Sequence, residues 1–210
     1  MESVLRLYSK EQQQGVVRLC MDERPCQLLN EVMMPLPAKS NMPKRIDNEY
    51  KREGTCVVML AYDMDSGVRY TQVREHRSKK DYAEFMDKII TDNYAHAAAV
   101  KLVQDNLNTH IKGSFYEHLT LQRAGEMSEL IEFVYTPKHG SWLNMAEMEF
   151  SALCKQCLDR RVGNIEEMKQ IVEAWTQNRN RQKVKIHWSF TVDKARDKLA
   201  SQYLKANSKN

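Results

Sequence analysis

The chain is 210 residues long, 42% hydrophobic and 29% charged, with 32 Lys and Arg against 28 Asp and Glu for a net charge of +4. That length can enclose a real core in one large domain, or a domain with a short arm, and seven Gly and five Pro exclude collagen-like and low-complexity classes. The longest apolar run, Cys56 to Tyr62, falls far short of the ~18 residues a membrane helix needs, and the polar opening Met1-Glu2-Ser3 suggests no signal peptide, so a soluble intracellular protein with five reduced thiols is expected.

In chain order, residues 16–21 (Val-Val-Arg-Leu-Cys-Met) read as a buried strand that ends at Asp22. Residues 30–54 intersperse Pro35, Pro37, Pro43 and Gly54 with basic side chains, which predicts a long irregular connection. Thr55 to Tyr62 is β-rich, Asp65-Ser66-Gly67 supplies a turn, and Val68 to Glu75 alternates as the returning strand. Lys79 to Tyr94 carries apolar residues at helical spacing. Ala99 to Gln104 is a second short apolar strand that ends in an aspartate, Asp105. A short helix around Ser114 to Leu119, a strand from Ile131 to Tyr135 and a long helical pattern from Trp142 to Arg161 follow, the last containing a Cys154-x-x-Cys157 read as two small core residues. Helices over 165–179 and 193–204 flank an extended segment at 184–190. This order predicts an α/β fold with no internal repeat. The charge is uneven along it. Residues 1–150 hold 19 basic and 22 acidic side chains, while residues 151–210 hold 13 and 6, a basic tail that fits either nucleic acid contact or a solvated helical surface.

Three acids stand at the ends of elements. Ligands of open α/β sheets collect outside the carboxyl ends of the strands, and Asp22 and Asp105 share that edge if their strands are parallel and adjacent. The long helical pattern offers Glu147 and Glu149, about 200° apart around the axis. Glu147 lines up with Leu143, Phe150, Cys154 and Leu158, the expected core-facing stripe, and Glu149 with Met145, Gln156 and Arg160, the expected wetter face. A core-facing carboxylate needs compensation, which an ion shared with the two aspartates would provide. Three hard oxygen ligands without a His/Cys set suit Mg²⁺ or Mn²⁺, and two such ions can serve in-line attack on phosphate. Taken singly, each acid reads more readily as a surface or turn residue, and it is their joint placement that points to a site.

At these residues the chain resembles the bacterial insertion-sequence transposases related to the mariner group, within the DDE superfamily. The matching blocks are Cys20-Met-Asp-Glu-Arg-Pro25, Val103-Gln-Asp-Asn-Leu-Asn-Thr-His110 and Tyr135-Thr-Pro-Lys-His-Gly-Ser-Trp-Leu-Asn-Met-Ala-Glu147, with Gln156-Cys-Leu-Asp-Arg-Arg161 and Trp188-Ser-Phe-Thr191 beside them. The resemblance implies an RNase H-like core, a central mixed sheet flanked by helices, over residues 16–162. Residues 1–15 would be a residual N-terminal arm or linker, and 163–210 a basic helical C-terminal extension packed on the core. It implies Asp22, Asp105 and Glu147 as a catalytic triad holding two Mg²⁺ or Mn²⁺ ions, DNA strand cleavage followed by 3′-end joining, often at a TA dinucleotide, and a homodimer when active. Asn106, Asn108 and His110 are candidates to orient the second aspartate or touch the scissile phosphate. Lys138, His139 and Asn144 are candidates for phosphate contact or for loop and cap bonding. Arg160, Arg161, Arg179, Arg181, Lys183 and Lys185 are generic phosphate-contact candidates. Trp142 reads more as a core indole than as a base-stacking one. Full-length relatives carry an N-terminal helix-turn-helix region. About fifteen residues precede the first strand here, so the expectation is a catalytic half alone, as a split-gene product that needs a separately encoded recognition part, a truncated copy or a decayed element, in the bacterial cytoplasm on the nucleoid. The rival reading is a catalytically unproductive, transposase-derived DNA-binding or interaction protein.

Overall fold

The computed structural model describes residues 1–201 and Tyr203. Five strands form one mixed sheet in the order β3-β2-β1-β4-β5: β1 Val16–Glu31, β2 Tyr50–Asp63, β3 Arg69–Arg74, β4 Ala99–Gln104 and β5 Ile131–Tyr135. The first three pair antiparallel, whereas β4 runs parallel to both β1 and β5. The return crossovers are helical: α2 (Lys79–Asn93) links β3 to β4, and α3 (Lys112–His118) with α4 (Leu121–Leu130) links β4 to β5.

Strand alternation divides the core in two. On one face Leu19, Met21, Val57, Met59, Ala61, Val100 and Leu102 pack against Tyr82, Phe85 and Met86 of α2, Phe115 of α3 and Met127 of α4. On the other, Cys20, Val58, Leu60, Tyr62 and Val103 pack against α1 (Glu2–Ser9), α5 (Met145–Cys157), α6 (Ile165–Arg181) and α7 (Val192–Lys198). Burial on both faces explains why β1, β2 and β4 read as continuous apolar runs rather than alternating ones.

The expected elements are present, with four differences. First, β1 does not end at Asp22. It continues to Glu31 and pairs with β2 as far as Tyr50, through an irregularity between Leu28 and Leu29. The irregular connection is therefore confined to residues 32–49, because the antiparallel partner supplies hydrogen bonds that polar composition alone does not foretell. Second, α4 has no counterpart in the sequence reading. Its N-cap Thr120 accepts from the Arg123 N–H, but it buries only Ala124 and Met127, too weak an apolar stripe to read. Third, the long pattern from Trp142 to Arg161 is broken. A 3₁₀ turn over Ser141–Leu143 ends at Asn144, whose extended backbone caps α5. Fourth, residues 1–15 contain α1, whose Val4, Leu5 and Leu7 are buried in the core. The Tyr8 hydroxyl donates to the Leu143 carbonyl at 2.7 Å, and Arg196 of α7 binds Glu2 at 2.8 Å. The last helix is described as Val192–Lys198; residues 202 and 204 of the stretch expected to be helical lie outside the described residues. Among the described residues no helix is long and apolar enough to cross a membrane.

Candidate active site

The parallel ladder between β1 and β4 ends at the pair Cys20–Val103. Asp22 lies two residues beyond the first member and Asp105 two beyond the second, so the shared register sets the two aspartates side by side at the carboxyl edge of β4. Asp22 remains within a strand because β2 continues to pair with it on the other side, at Leu60.

Asn144 brings the third acid to this edge. Buried at 1% exposure, it caps α5 by accepting from the Ala146 N–H at 3.1 Å, while its amide donates to the Met21 carbonyl at 2.8 Å and to Asp22 Oδ2 at 3.3 Å. One side chain thus fastens the start of α5 to β1, and Glu147 follows in the first turn, where a helix favours an anion. Asp22 is itself buried, and it accepts from the Glu23 N–H at 2.8 Å. Burial pushes its carboxyl up to about 7; the Glu23 N–H opposes this, while the charges of Glu147, Asp105 and Glu23 add to it.

Asp105 behaves differently. Its Oδ1 accepts from the Leu107 N–H at 3.2 Å and from His110 Nδ1 at 2.6 Å. The histidine bond holds this carboxyl below its ordinary range, with partial burial working the other way. His110 is fully buried and faces Glu23 Oε1 at 2.8 Å through its other nitrogen. Burial lowers its basicity, but the bonds to Asp105 and Glu23 outweigh that effect and raise it to about 9.

Glu149 corrects the face assignment made from the sequence. The buried stripe of α5 is Met145, Ala146, Glu149, Phe150 and Leu153, so Glu149 faces the core and Glu147, half-exposed, lies off the stripe. The helix starts at Met145 and takes its phase from contact with the sheet, not from a continuous run beginning at Trp142. Arg69 of β3 holds the buried Glu149 in a two-pronged pair at 2.7 and 2.8 Å, and Arg179 of α6 adds contacts at 3.0 and 3.1 Å. Burial works to raise the Glu149 carboxyl, but the two guanidinium groups leave it below the usual glutamate range. Among the described residues no such cation pairs with Asp22.

The remaining candidates divide. Asn106, Asn108, Lys138 and His139 are exposed around the edge, and Asp105, Asn106, Lys138 and His139 line one cavity of about 470 Å³. The turn that carries Lys138 and His139 is tight. His139 sits at φ 60°, and a Cβ on Gly140 would meet Pro137 Cγ at 2.6 Å. Arg160 pairs with Glu167 on the surface. Arg161 is engaged internally, bonding Glu31 and the carbonyls of Asp47 and Glu49 to anchor the extended β1–β2 arm, and Arg179 is engaged by Glu149. These two arginines are therefore not free phosphate contacts. Trp142 is 48% exposed, its ring edge-on to Phe190 at 5.5 Å, rather than a core indole. Glu23 escaped the sequence reading. A charged residue following Asp22 in an apolar strand was the signal, since alternation must send the two side chains to opposite faces.

Asp22, Asp105 and Glu147 each offer carboxylate oxygens, the hard donor chemistry that Mg²⁺ and Mn²⁺ prefer. Burial, with the added charges of Glu147 and Asp105, disfavours the ionised form of Asp22. Among the described residues no three His, Cys, Asp or Glu side chains already stand as a ready metal cage, with Asp105 turned onto His110 and Asp22 onto Asn144 and the Glu23 N–H. The five cysteines are free thiols.

The family described as DDE superfamily endonuclease matches residues 17–169. No curated protein sequence matches the chain. Among solved structures, the fold is similar to that in the crystal structure of the Mos1 mariner paired end complex with Mn, with a TM-score of 0.56 and 13% identity over 86% of this chain and 54% of that one. The Mos1 strand transfer complex gives 0.55 and 13% over 83% and 51%. The Mos1 transposase paired-end complex with left transposon end gives 0.55 and 13% over 87% and 55%. The chain spans about half the length of these transposase chains. The mixed sheet with helices on both faces is the RNase H-like architecture of their catalytic domain.

Proposed function

This chain belongs to the DDE superfamily endonucleases, and from that premise we propose that it is a transposase catalytic domain that cleaves DNA strands and joins the freed 3′ ends, with Asp22, Asp105 and Glu147 holding divalent ions. The observation that carries the reading is the register of β1 on β4, which puts two aspartates beside each other, together with the Asn144 bridge that brings Glu147 within electrostatic reach of Asp22.

Two Mg²⁺ or Mn²⁺ ions bound there would supply the charge neutralisation that in-line phosphoryl transfer needs at the attacking and leaving oxygens. The chain's own residues do the rest. Asn144 holds the Asp22 carboxylate against β1 and keeps the first turn of α5 facing the edge. His110 fixes the Asp105 carboxylate from behind. Lys138, with Asn106 and Asn108, lies exposed along the rim where a DNA backbone would pass, and a lysine there offers phosphate a point charge. Asp22, buried and surrounded by like charges, binds a cation in preference to a proton once the ion is present.

DNA is the proposed partner, as element ends and as target, with joining at a TA dinucleotide. The similar solved structures are paired-end and strand-transfer complexes, which supports that assignment. Two ends must be brought together, so a homodimer is the proposed active form, aided by a helix-turn-helix part outside these residues. The reading puts the protein on bacterial nucleoid DNA. A supercoiled-plasmid nicking assay with Mg²⁺ or Mn²⁺ tests the proposal. Metal-dependent nicking that Glu147→Gln abolishes is expected, and wild-type protein that leaves the plasmid intact at every metal concentration would overturn it.

A further inference from the structure

Glu23 is almost fully buried, its side chain 2% exposed, yet it adjoins the acids Asp22 and Asp105. An additional buried carboxylate there is unfavourable unless it is bonded to something. Its one side-chain partner among the described residues is His110 Nε2, at 2.8 Å. Alternation along β1 places Asp22 on the face of Cys20, which packs on α5, and Glu23 on the face of Met21, which packs on α2. Because β4 ends at Gln104, the loop that follows it reaches Glu23 from that second face.

The histidine between them cannot turn. Its ring is fully buried beside Tyr82, with centroids 4.9 Å apart, and its backbone carbonyl accepts from Gln104 Nε2 at 3.0 Å and from the Tyr135 hydroxyl at 2.9 Å. Gln104 is in turn held by the Tyr82 hydroxyl at 2.8 Å. Each ring nitrogen therefore faces a carboxyl oxygen, Nδ1 at Asp105 and Nε2 at Glu23. The bond to Asp105 falls on Oδ1, which also takes the Leu107 N–H, and no bond among the described residues falls on Oδ2.

We propose that Glu23 is a positioning residue of this site: through His110 it holds the Asp105 carboxylate with Oδ1 turned inward and Oδ2 left for a divalent ion. The inference rests on the acid-triad reading and adds to it a buried Glu23–His110–Asp105 relay on the opposite face of the sheet from α5. Without Glu23 the Nε2 side of the ring loses its partner, which weakens the hold of the Nδ1 side on Asp105 and with it the anchor that selects the carboxylate's free oxygen. Groups that orient metal ligands in this way typically change metal affinity by about 10- to 100-fold when removed.

The test uses the full chain with Mn²⁺ alone as probe, bound ion being counted by electron paramagnetic resonance, and with plasmid nicking measured in parallel. Glu23→Gln keeps the side-chain volume and is expected to weaken Mn²⁺ binding about 10-fold or more and to lower the nicking rate at saturating DNA, with DNA affinity unchanged. His110→Ala is expected to do the same, and the double variant to lose no more than His110→Ala alone, because Glu23 acts through the histidine. Glu23→Asp, which keeps the charge at shorter reach, is expected to restore part of the affinity. A Glu23 with a merely structural role would lower the melting temperature of the metal-free protein and leave Mn²⁺ affinity in place, which would overturn the proposal. So would a double variant whose loss is the product of the two single losses. If wild-type protein binds no Mn²⁺ and nicks no plasmid, the triad reading fails and the relay with it; if wild type does both and Glu23→Gln matches it, the relay alone fails.

Discussion

Two buried carboxylates on the same side of the sheet, Asp22 and Glu149, receive opposite treatment. Glu149 lies between the guanidinium groups of Arg69 and Arg179, so its charge is neutralised within the fold and its carboxyl stays acidic. Asp22 has an amide, a backbone N–H and three neighbouring acids, and burial among them drives its carboxyl up to about 7. The first arrangement is complete as it stands and serves to lock β3, α5 and α6 together. The second has no internal counter-charge paired with it among the described residues. Burial of an acid is therefore no guide to function; the presence or absence of an internal counter-charge is.

The most forceful way to break this comparison is to neutralise each side in turn. Asp105→Asn and Glu147→Gln are each expected to lower metal-dependent nicking by roughly 10²–10³-fold or more, with DNA retention in a gel-shift assay unchanged. Nicking at the wild-type rate by either variant would remove the distinction. Glu149→Gln is expected to leave the acids of the edge in place but to destabilise the fold by about 3–5 kcal/mol in urea denaturation, because two arginines lose their buried partner.

Metal addition sharpens the contrast next. At a hundredfold excess over its dissociation constant, Mg²⁺ or Mn²⁺ is expected to stabilise the wild-type protein by about 2.7 kcal/mol, seen as a rise in melting temperature. Asp22→Asn should lose most of that rise, while any Glu149→Gln protein that folds should keep it.

The two acids also predict opposite slopes of stability with pH in the metal-free protein. Asp22 has a folded-state pKa raised from 3.8 to about 7, so the folded form binds the extra proton and stability falls as pH climbs from about 4 to 7. Glu149 has a lowered folded-state pKa, so its contribution is present above the ordinary glutamate value of 4.5 and is lost as pH falls below it. Asp22→Asn should flatten the first slope and Glu149→Gln the second in denaturation curves recorded across pH 3–8. The smallest effect is expected at Asn144, where Asn144→Ala removes the α5 cap at a cost of about 1 kcal/mol. A fall in Mn²⁺ affinity should accompany it, since Asp22 loses its amide donor.

The acids at the edge were largely legible in the chain. Asp105 follows a six-residue strand whose bounds the apolar run marks correctly, and Asp22 was found although β1 does not stop there. For Glu147 the sequence assigns the wrong face of the helix. Which face of α5 meets the sheet is decided by packing: Met145, Ala146, Phe150 and Leu153 are buried and carry Glu149 with them, which leaves Glu147 half-exposed. Arg161 illustrates the same limit. Its sequence neighbourhood reads as a basic patch, but its partners, Glu31 and the carbonyls of Asp47 and Glu49, lie more than a hundred residues away in the chain.

The sequence by itself determined the α/β layering, the positions of Asp22 and Asp105 in or just after apolar strands, and the blocks that place the chain among DDE endonucleases, because these depend on local periodicity and short motifs. Tertiary structure alone decided which buried acid is neutralised and which is left open, and that His110 is gripped from behind by Glu23. Counter-charge and hydrogen-bond direction are set by groups brought together from distant parts of the chain, at separations of 80 residues for Arg69 with Glu149 and 87 for Glu23 with His110, and no local pattern encodes them.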